Sequence, residues 1–198
     1  MPKKEYEWEE GSIIEDHSLA KHDALREYLI RFVNALSPNP LQERLNLDVV
    51  DGFAGGGIYK TREGKDHLGS PLLILRSLEE AEVLCNEKRK NIQKVSRFQV
   101  TGNKYFIDNS PAAIQSLHKV LTYHEYQNRI GKDIHIINKS FEDALPVILN
   151  DLQKSRKKVI FLLDQYMDSK AIKGNLKTSQ EPMEYNQQDL PESVTQCL

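Results

Sequence analysis

Residues 45–57 join a short run rich in leucine and valine to a turn that contains Gly52, Gly55, Gly56 and Gly57. A run this short, bounded by turn-forming residues, is typical of a strand that is buried on both faces. Glycine tolerates positive φ and lets backbone N–H groups approach a ligand closely. The segment therefore predicts a buried strand that leads into a ligand-binding loop, with a simple tight turn as the alternative.

Two phosphate-binding patterns do not match this loop. A Walker A loop that starts at Gly52 would require lysine directly after Gly57, where Ile58 stands. A GxGxxG pattern that starts at Gly55 would place its last glycine at Lys60. The loop is therefore expected to serve a nucleotide-type ligand without the spacing that clamps phosphates in ATPases.

Helical and strand-like segments alternate along the chain. Apolar residues recur every three or four positions in residues 15–36, 72–94, 111–121 and 141–152, and short apolar runs lie at 45–50, 104–107, 134–137 and 158–163. Strands separated by helices are most simply arranged as a parallel sheet. The expected fold class is α/β, a doubly wound (Rossmann-like) parallel sheet of about four strands with an N-terminal helix.

The periodicity ends after Tyr166. Residues 167–198 are rich in Gln, Asn, Ser, Lys and Glu, and their isolated apolar residues follow neither period. We expect one domain over residues 1–166 and a disordered or loosely packed tail over 167–198. The strand at 158–163 would then form an unpaired edge of the sheet.

Composition limits the compartment and the partners. The 27 basic and 29 acidic side chains give a formal net charge of −2, so nucleic acid is a possible partner that the charge does not support. Cys85 and Cys197 form neither a disulfide pattern nor a metal-ligand pattern, which favours a reducing cytoplasm and predicts no metal site. No stretch approaches the roughly 18 apolar residues that cross a bilayer, so we expect no membrane association.

A carboxylate stands at or near the end of each predicted strand, where ligands of doubly wound sheets bind. Asp108 follows the second strand and is suited either to accept hydrogen bonds from a ribose diol or to cap the next helix. Glu142 and Asp143 follow the third strand and suit either an adenine amino group or the positive end of a helix. Asp51 and Asp164 complete the set.

The segments DGFAGGG, IDNSP, SFED and DQY, in this order at the strand ends, resemble class I S-adenosylmethionine-dependent methyltransferases. The closer resemblance is to the three-Cys-motif partner protein family of bacteria, and it covers about residues 8–166. That family has an HxxxKHxxLxxYL helix, a DGFAGxGxY loop and a GSP helix start. They are matched by residues 17–29, 51–59 and 69–71.

The resemblance implies a methyltransferase-like protein that binds S-adenosylmethionine and works with a protein carrying three cysteines. In this comparison Asp51, Gly52, Phe53, Gly55 and Gly57 surround the methionine part of the cofactor. Asp108 holds the ribose, and Glu142 or Asp143 faces the adenine. Asp164, Gln165 and Tyr166 stand where amino-methyltransferases carry an Asp/Asn-Pro-Pro-aromatic motif, which makes them the candidate catalytic residues, although Gln165 replaces a proline.

His17 and Lys21 are one helical turn apart, so they share a face. They are candidates to contact an acidic substrate or the cofactor carboxylate, and a half-exposed polar helix edge is the alternative. The resemblance also implies seven strands, whereas the sequence shows four before the pattern ends at Met167. We therefore expect a C-terminally truncated or frame-shifted relative.

Two other functions stay open at this stage. The first alternative to a methyltransferase is a non-catalytic partner protein that keeps the fold only. The second is a metal-dependent nucleic-acid enzyme that uses Asp51, Asp108 and Asp164. The second alternative leaves the glycine-rich loop without a role.

Overall fold

The computed structural model describes residues 12–14, 16–92, 96–153, 157–163 and 194–196. These residues form the helices α1 Asp16–Ala35, α2 Ser70–Arg89, α3 Pro111–Tyr123 and α4 Phe141–Gln153. The strands are β1 Arg44–Asp51, β2 Ile58–Lys60, β3 Asp66–Leu68, β4 Gln99–Thr101, β5 Lys104–Asp108, β6 Ile134–Asn138, β7 Lys158–Leu162 and β8 Val194–Gln196. A 3-10 helix, Gln127–Arg129, precedes β6.

The main sheet is parallel and follows the order β6-β5-β1-β7-β8. The first part of β1 pairs with β4 and its last part pairs with β5, so β4 and β5 act as one strand that is interrupted at Gly102. Strands β2 and β3 form a separate antiparallel hairpin directly after the glycine-rich loop. The chain thus crosses from β1 to β5 and β6 on one side, and then returns to β7 on the other side of β1.

Helices cover both faces of this sheet. Val49 and Phe106 lie in a large apolar cluster with residues of α1, α2 and α3. Val50 and Ile107, the next residues along the same strands, lie in a second cluster with Ala144, Ile148 and Leu152 of α4. Because successive strand residues point to opposite faces, this division explains why adjacent residues, Val49 and Val50 in β1 and Phe106 and Ile107 in β5, are all apolar.

The predicted α/β class, with a parallel sheet and an N-terminal helix, is confirmed. The expectation that residues 158–163 form an unpaired edge was wrong, because Val194–Gln196 pairs with β7. The remaining residues of the predicted 167–198 tail lie outside the described residues. The three-residue strands β2, β3, β4 and β8 were also missed, since elements so short contain too few positions to show a period.

Arg89 fixes the turn between α1 and β1. Its side chain is 7% exposed and donates hydrogen bonds to the carbonyl oxygens of Gln42 (2.6 Å), Ser37 (3.3 Å) and Asn39 (3.3 Å). Its guanidinium carbon also lies 4.6 Å from the ring centroid of Phe98. A single buried cation therefore satisfies three carbonyl groups of a loop that has no regular structure.

We expect Arg89→Met to lower the free energy of unfolding by about 2 kcal/mol, because the loop carbonyls lose a charged donor. Urea denaturation provides the measurement. The control is Lys90→Met, which removes an exposed cation paired with Glu87 and should change stability by less than about 0.5 kcal/mol. Similar losses in the two variants would contradict the proposed anchoring role of Arg89.

Candidate functional site

The strand order reverses next to β1, at its boundary with β7. In open α/β sheets, ligands bind outside the carboxyl ends of the strands at such a point. Here the N–H of Gly52 donates to the carbonyl oxygen of Leu162 at 3.0 Å, and the N–H of Ala54 donates to that of Ile107 at 2.9 Å. The glycine-rich loop is therefore held between the ends of β7 and β5.

Asp108 joins this loop to the end of β5. Its Oδ2 accepts a hydrogen bond from the N–H of Gly55 at 2.9 Å, and its Oδ1 accepts one from the N–H of Ser110 at 2.8 Å. Asn138, at the end of β6, donates to the backbone carbonyl of Asp108 at 2.9 Å. The helix cap that the sequence left open for Asp108 belongs instead to Ser110, whose hydroxyl accepts the N–H of Ala113 at 3.3 Å.

The glycines of the loop do not all have the same local environment. Gly55 and Gly57 have φ angles of +63° and +87°, which residues with a Cβ rarely adopt. A Cβ on Gly57 would lie 3.0 Å from Leu117 Cδ1, so Gly57 is also required for the packing of the loop against α3. A Cβ on Gly52 would lie 2.8 Å from Leu163 Cδ2 and 3.0 Å from Phe141 Cδ2.

Asp51 and Phe53 flank Gly52 and lie in contrasting environments. Asp51 is 4% exposed, and its Oδ1 accepts the N–H of Phe53 at 3.2 Å. Phe53 is 37% exposed, and its ring centroid lies 6.2 Å from that of Phe141. Together with Leu163, which is 41% exposed, these rings form an apolar surface beside the loop.

The two acidic residues after β6 lie at the start of α4. Both Glu142 and Asp143 are exposed. The Ser140 hydroxyl accepts the N–H of Asp143 at 3.1 Å and donates to Asp143 Oδ2 at 2.8 Å. This reciprocal arrangement is a helix N-cap, so Asp143 has a local structural role whatever else it contacts.

We expect Ser140→Ala to lower the free energy of unfolding by about 1 kcal/mol, since the first turn of α4 loses its cap. Thermal unfolding monitored by circular dichroism measures the change. Lys139→Ala, at an exposed neighbouring position, is the control and should have almost no effect. An unchanged melting temperature for Ser140→Ala would show that this hydroxyl does not stabilise the helix.

Helix α1 meets the β2–β3 hairpin through a pair of histidines that the sequence did not single out as a pair. His22 Nδ1 lies 3.0 Å from His67 Nε2, and the ring planes are 9° apart. The N···N separation is shorter than the roughly 3.5 Å of rings in van der Waals contact, so one N–H···N hydrogen bond joins these nearly parallel rings, whose centroids are 5.2 Å apart. One nitrogen must donate and the other accept.

The hairpin is itself tied to the glycine-rich loop, because the N–H of Gly69 donates to the Gly57 carbonyl at 2.8 Å.

Several candidate residues are not tested by this geometry. Lys21 lies exposed on α1, while the side chain of His17 and all of Asp164, Gln165 and Tyr166 lie outside the described residues. Among the side chains that the structure describes, no three His, Cys, Asp or Glu residues converge as metal ligands do. The described helices include none with the length and apolarity of a membrane span.

The site and the sheet define the chain as an α/β protein with a parallel sheet, whose glycine-rich loop lies at the carboxyl ends of the strands. Comparison with protein-family models and with curated proteins finds no match.

Proposed function

We propose that the protein binds S-adenosylmethionine at the glycine-rich loop and acts as a methyltransferase-like protein with a cysteine-rich partner. The methyl acceptor would be an amino group of nucleic acid or of another amine. Within the α/β class, the fold would be Rossmann-like. The contact between Gly55 and Asp108 carries this proposal. It joins the loop after β1 to the carboxylate after β5, next to the point where the strand order reverses.

The hydrogen-bonding capacity of Asp108 supports a role in holding a ribose. A carboxylate offers about four lone-pair positions, and the N–H groups of Gly55 and Ser110 occupy two of them. Two positions therefore remain for the two hydroxyl groups of a ribose diol. The two backbone hydrogen bonds also hold the carboxylate in place before any ligand arrives, which lowers the entropic cost of binding.

The surroundings of Gly52 suit the adenine and methionine parts of such a cofactor. Phe141 offers an apolar ring on which a flat base packs favourably, and the exposed ring of Phe53 beside it offers apolar surface to the methionine part. Asp51, Gly52, Phe53, Gly55 and Gly57 are the residues proposed for the methionine part, and Glu142 or Asp143 is proposed for the adenine amino group. S-adenosylmethionine supplies an electrophilic methyl group, and these residues bind and orient its carrier.

The proposed catalytic residues, Asp164, Gln165 and Tyr166, directly follow Leu163 in the chain. An acidic or amide oxygen at this point is suited to accept a hydrogen bond from the target amine, and an aromatic ring is suited to stack on a substrate base. This is the basis for proposing an amine as the methyl acceptor.

A methyl-transfer assay tests the proposal. The chain is incubated with S-adenosylmethionine labelled on the methyl group, with and without a co-expressed cysteine-rich neighbour, and both retained and transferred label are counted. We expect the wild-type chain to retain labelled cofactor and to transfer the labelled methyl group. The Asp164→Ala variant should not transfer it. Retention and co-purification without transfer would favour the non-catalytic alternative. Metal-dependent cleavage of DNA or RNA without retention would contradict the proposal.

A further inference from the structure

A cleft of about 450 Å³ lies at the amino ends of the strands, away from the glycine-rich loop. Helix α2 forms one wall and β4 forms the other. Leu75 and Leu78 from the helix and Val100 from the strand supply an apolar lining. The volume is within the range of small-molecule sites, which begins at about 300 Å³.

Lys104, the first residue of β5, lies in this cleft and is 3% exposed. Its Nζ donates to the carbonyl oxygen of Gly102 at 2.6 Å, and its separation from Asp133 Oδ2 is long, at 3.6 Å. Burial lowers the pKa of this ammonium group, and the charge of Asp133 partly opposes the shift. An ammonium group has three N–H donors, so Lys104 retains capacity for an acceptor oxygen of a ligand.

Arg129 provides a second cation whose position does not depend on a ligand. Its Nε and Nη2 donate to Asp133 Oδ2 at 3.1 Å and 2.8 Å, and its Nη1 donates to Glu79 Oε1 at 3.0 Å. Although burial alone would raise the pKa of Asp133, the hydrogen bonds and charge of Arg129 hold it below its usual value. The Asp133 carboxylate therefore stays ionised and keeps Arg129 fixed at the edge of the cleft.

The helix wall of the cleft is acidic. Glu79 and Glu82 are three positions apart on α2, so they share the face that carries Leu75 and Leu78. Glu82 Oε2 accepts the N–H of Val100 at 3.1 Å, which brings its carboxylate to the strand wall. Tyr126 donates to Glu79 Oε2 at 2.9 Å, and burial together with this hydrogen bond raises the pKa of Tyr126 to about 12.

We propose that this cleft binds a small zwitterion with an apolar body, the chemistry of an α-amino acid with an aliphatic side chain. A simple anion would meet the carboxylates of Glu79, Glu82 and Asp133, and a simple cation would meet Lys104 and Arg129. A zwitterion satisfies both sets at once, because its carboxylate lies toward Lys104 and its ammonium group toward the two glutamates. The aliphatic side chain packs between Leu75, Leu78 and Val100.

The test is a titration of the full chain with L-leucine, followed by backbone amide NMR at Val100 and Gly102. We expect saturable shifts at these amides with an affinity in the millimolar range or tighter, of order 1 mM. Leucinamide, which lacks the carboxylate, and 4-methylpentanoate, which lacks the amine, should each bind at least about tenfold more weakly. Lys104→Met should reduce leucine binding by a similar factor.

Glu79→Gln is the second variant. The Glu79 side chain is half exposed, and replacing it leaves the buried Lys104 in place. The substitution should weaken leucine binding severalfold, and it should not weaken the binding of 4-methylpentanoate, because it removes a negative charge that repels this anion. The absence of shifts with L-leucine would overturn the proposal, and so would equal binding of leucine and its two analogues. These outcomes are independent of S-adenosylmethionine binding at the other end of the sheet.

Discussion

Gly102→Ala is expected to lower the free energy of unfolding by more than about 4 kcal/mol, a large part of the roughly 5–15 kcal/mol that stabilises an ordinary domain. Gly102 has a φ angle of +122°, which L-residues rarely adopt. A Cβ at this position would lie 2.3 Å from the carbonyl oxygen of Leu47 and 2.8 Å from Asp48 Oδ1. The nearest atom belongs to the backbone of β1, the central strand, so it has little freedom to move away.

The same glycine governs how β4 and β5 join into one strand. The N–H of Asn103 donates to Asp48 Oδ1 at 2.6 Å, and the N–H of Val49 donates to the carbonyl oxygen of Asn103 at 2.9 Å. A shift of the backbone at Gly102 would therefore disturb both the pairing with β1 and the hydrogen bonding of a buried carboxylate. We expect losses from strain and from unpaired polar groups together.

Gly131→Ala is a matched control for this variant. Gly131 also has a positive φ angle, +79°, but a Cβ there would have no atom within 4 Å. Its substitution should cost only the backbone strain, about 1–2 kcal/mol. Denaturation midpoints in urea measure both variants. Equal losses would show that the close approach of Gly102 to Leu47 does not matter for stability.

Asp108→Ala is expected to weaken S-adenosylmethionine binding by at least about 100-fold. Two hydrogen bonds from a ribose diol to a carboxylate account for about 3 kcal/mol, and each 1.4 kcal/mol corresponds to a factor of about ten. The substitution also removes the acceptor for the N–H of Gly55, so the loop loses its link to the end of β5. Calorimetric titration of the variant measures the affinity.

Asp108→Asn separates the two effects, because the amide keeps one acceptor oxygen and loses the charge. It should retain the fold and bind the cofactor with intermediate affinity. Asp23→Ala, an exposed carboxylate on α1, is the control and should leave the affinity unchanged. An affinity for Asp108→Ala within about threefold of wild type would remove Asp108 from the proposed site.

The long elements of the fold were predictable because each contains several apolar positions. Helix α3 was expected to begin near Pro111 and begins there, since proline suits a first helical turn and Ser110 is available as a cap. Helix α2 was expected to continue to about residue 94 and ends at Arg89, where the guanidinium turns back to the loop carbonyls of Gln42 and Asn39. That contact joins distant parts of the chain, so no local pattern predicts it.

The candidate site was predictable in position more than in detail. Strand ends indicated Asp108 and the glycine-rich loop, but the contact of Asp108 with Gly55 depends on which strands are neighbours. Asp143 was weighed as an adenine contact or as negative charge at a helix end, and the structure gives it a place in the N-cap of α4. The His22–His67 pair was missed because 45 residues separate its members.

Isothermal titration of the wild-type chain with S-adenosylmethionine tests the central claim most directly. We expect saturable binding at a single site with a dissociation constant of about 10 μM or tighter. ATP shares the ribose and the adenine but should bind at least about tenfold more weakly, because the loop lacks phosphate-clamping spacing. A chain that circular dichroism shows to be folded, but that gives no binding heat and no thermal protection at about 1 mM cofactor, would contradict S-adenosylmethionine binding.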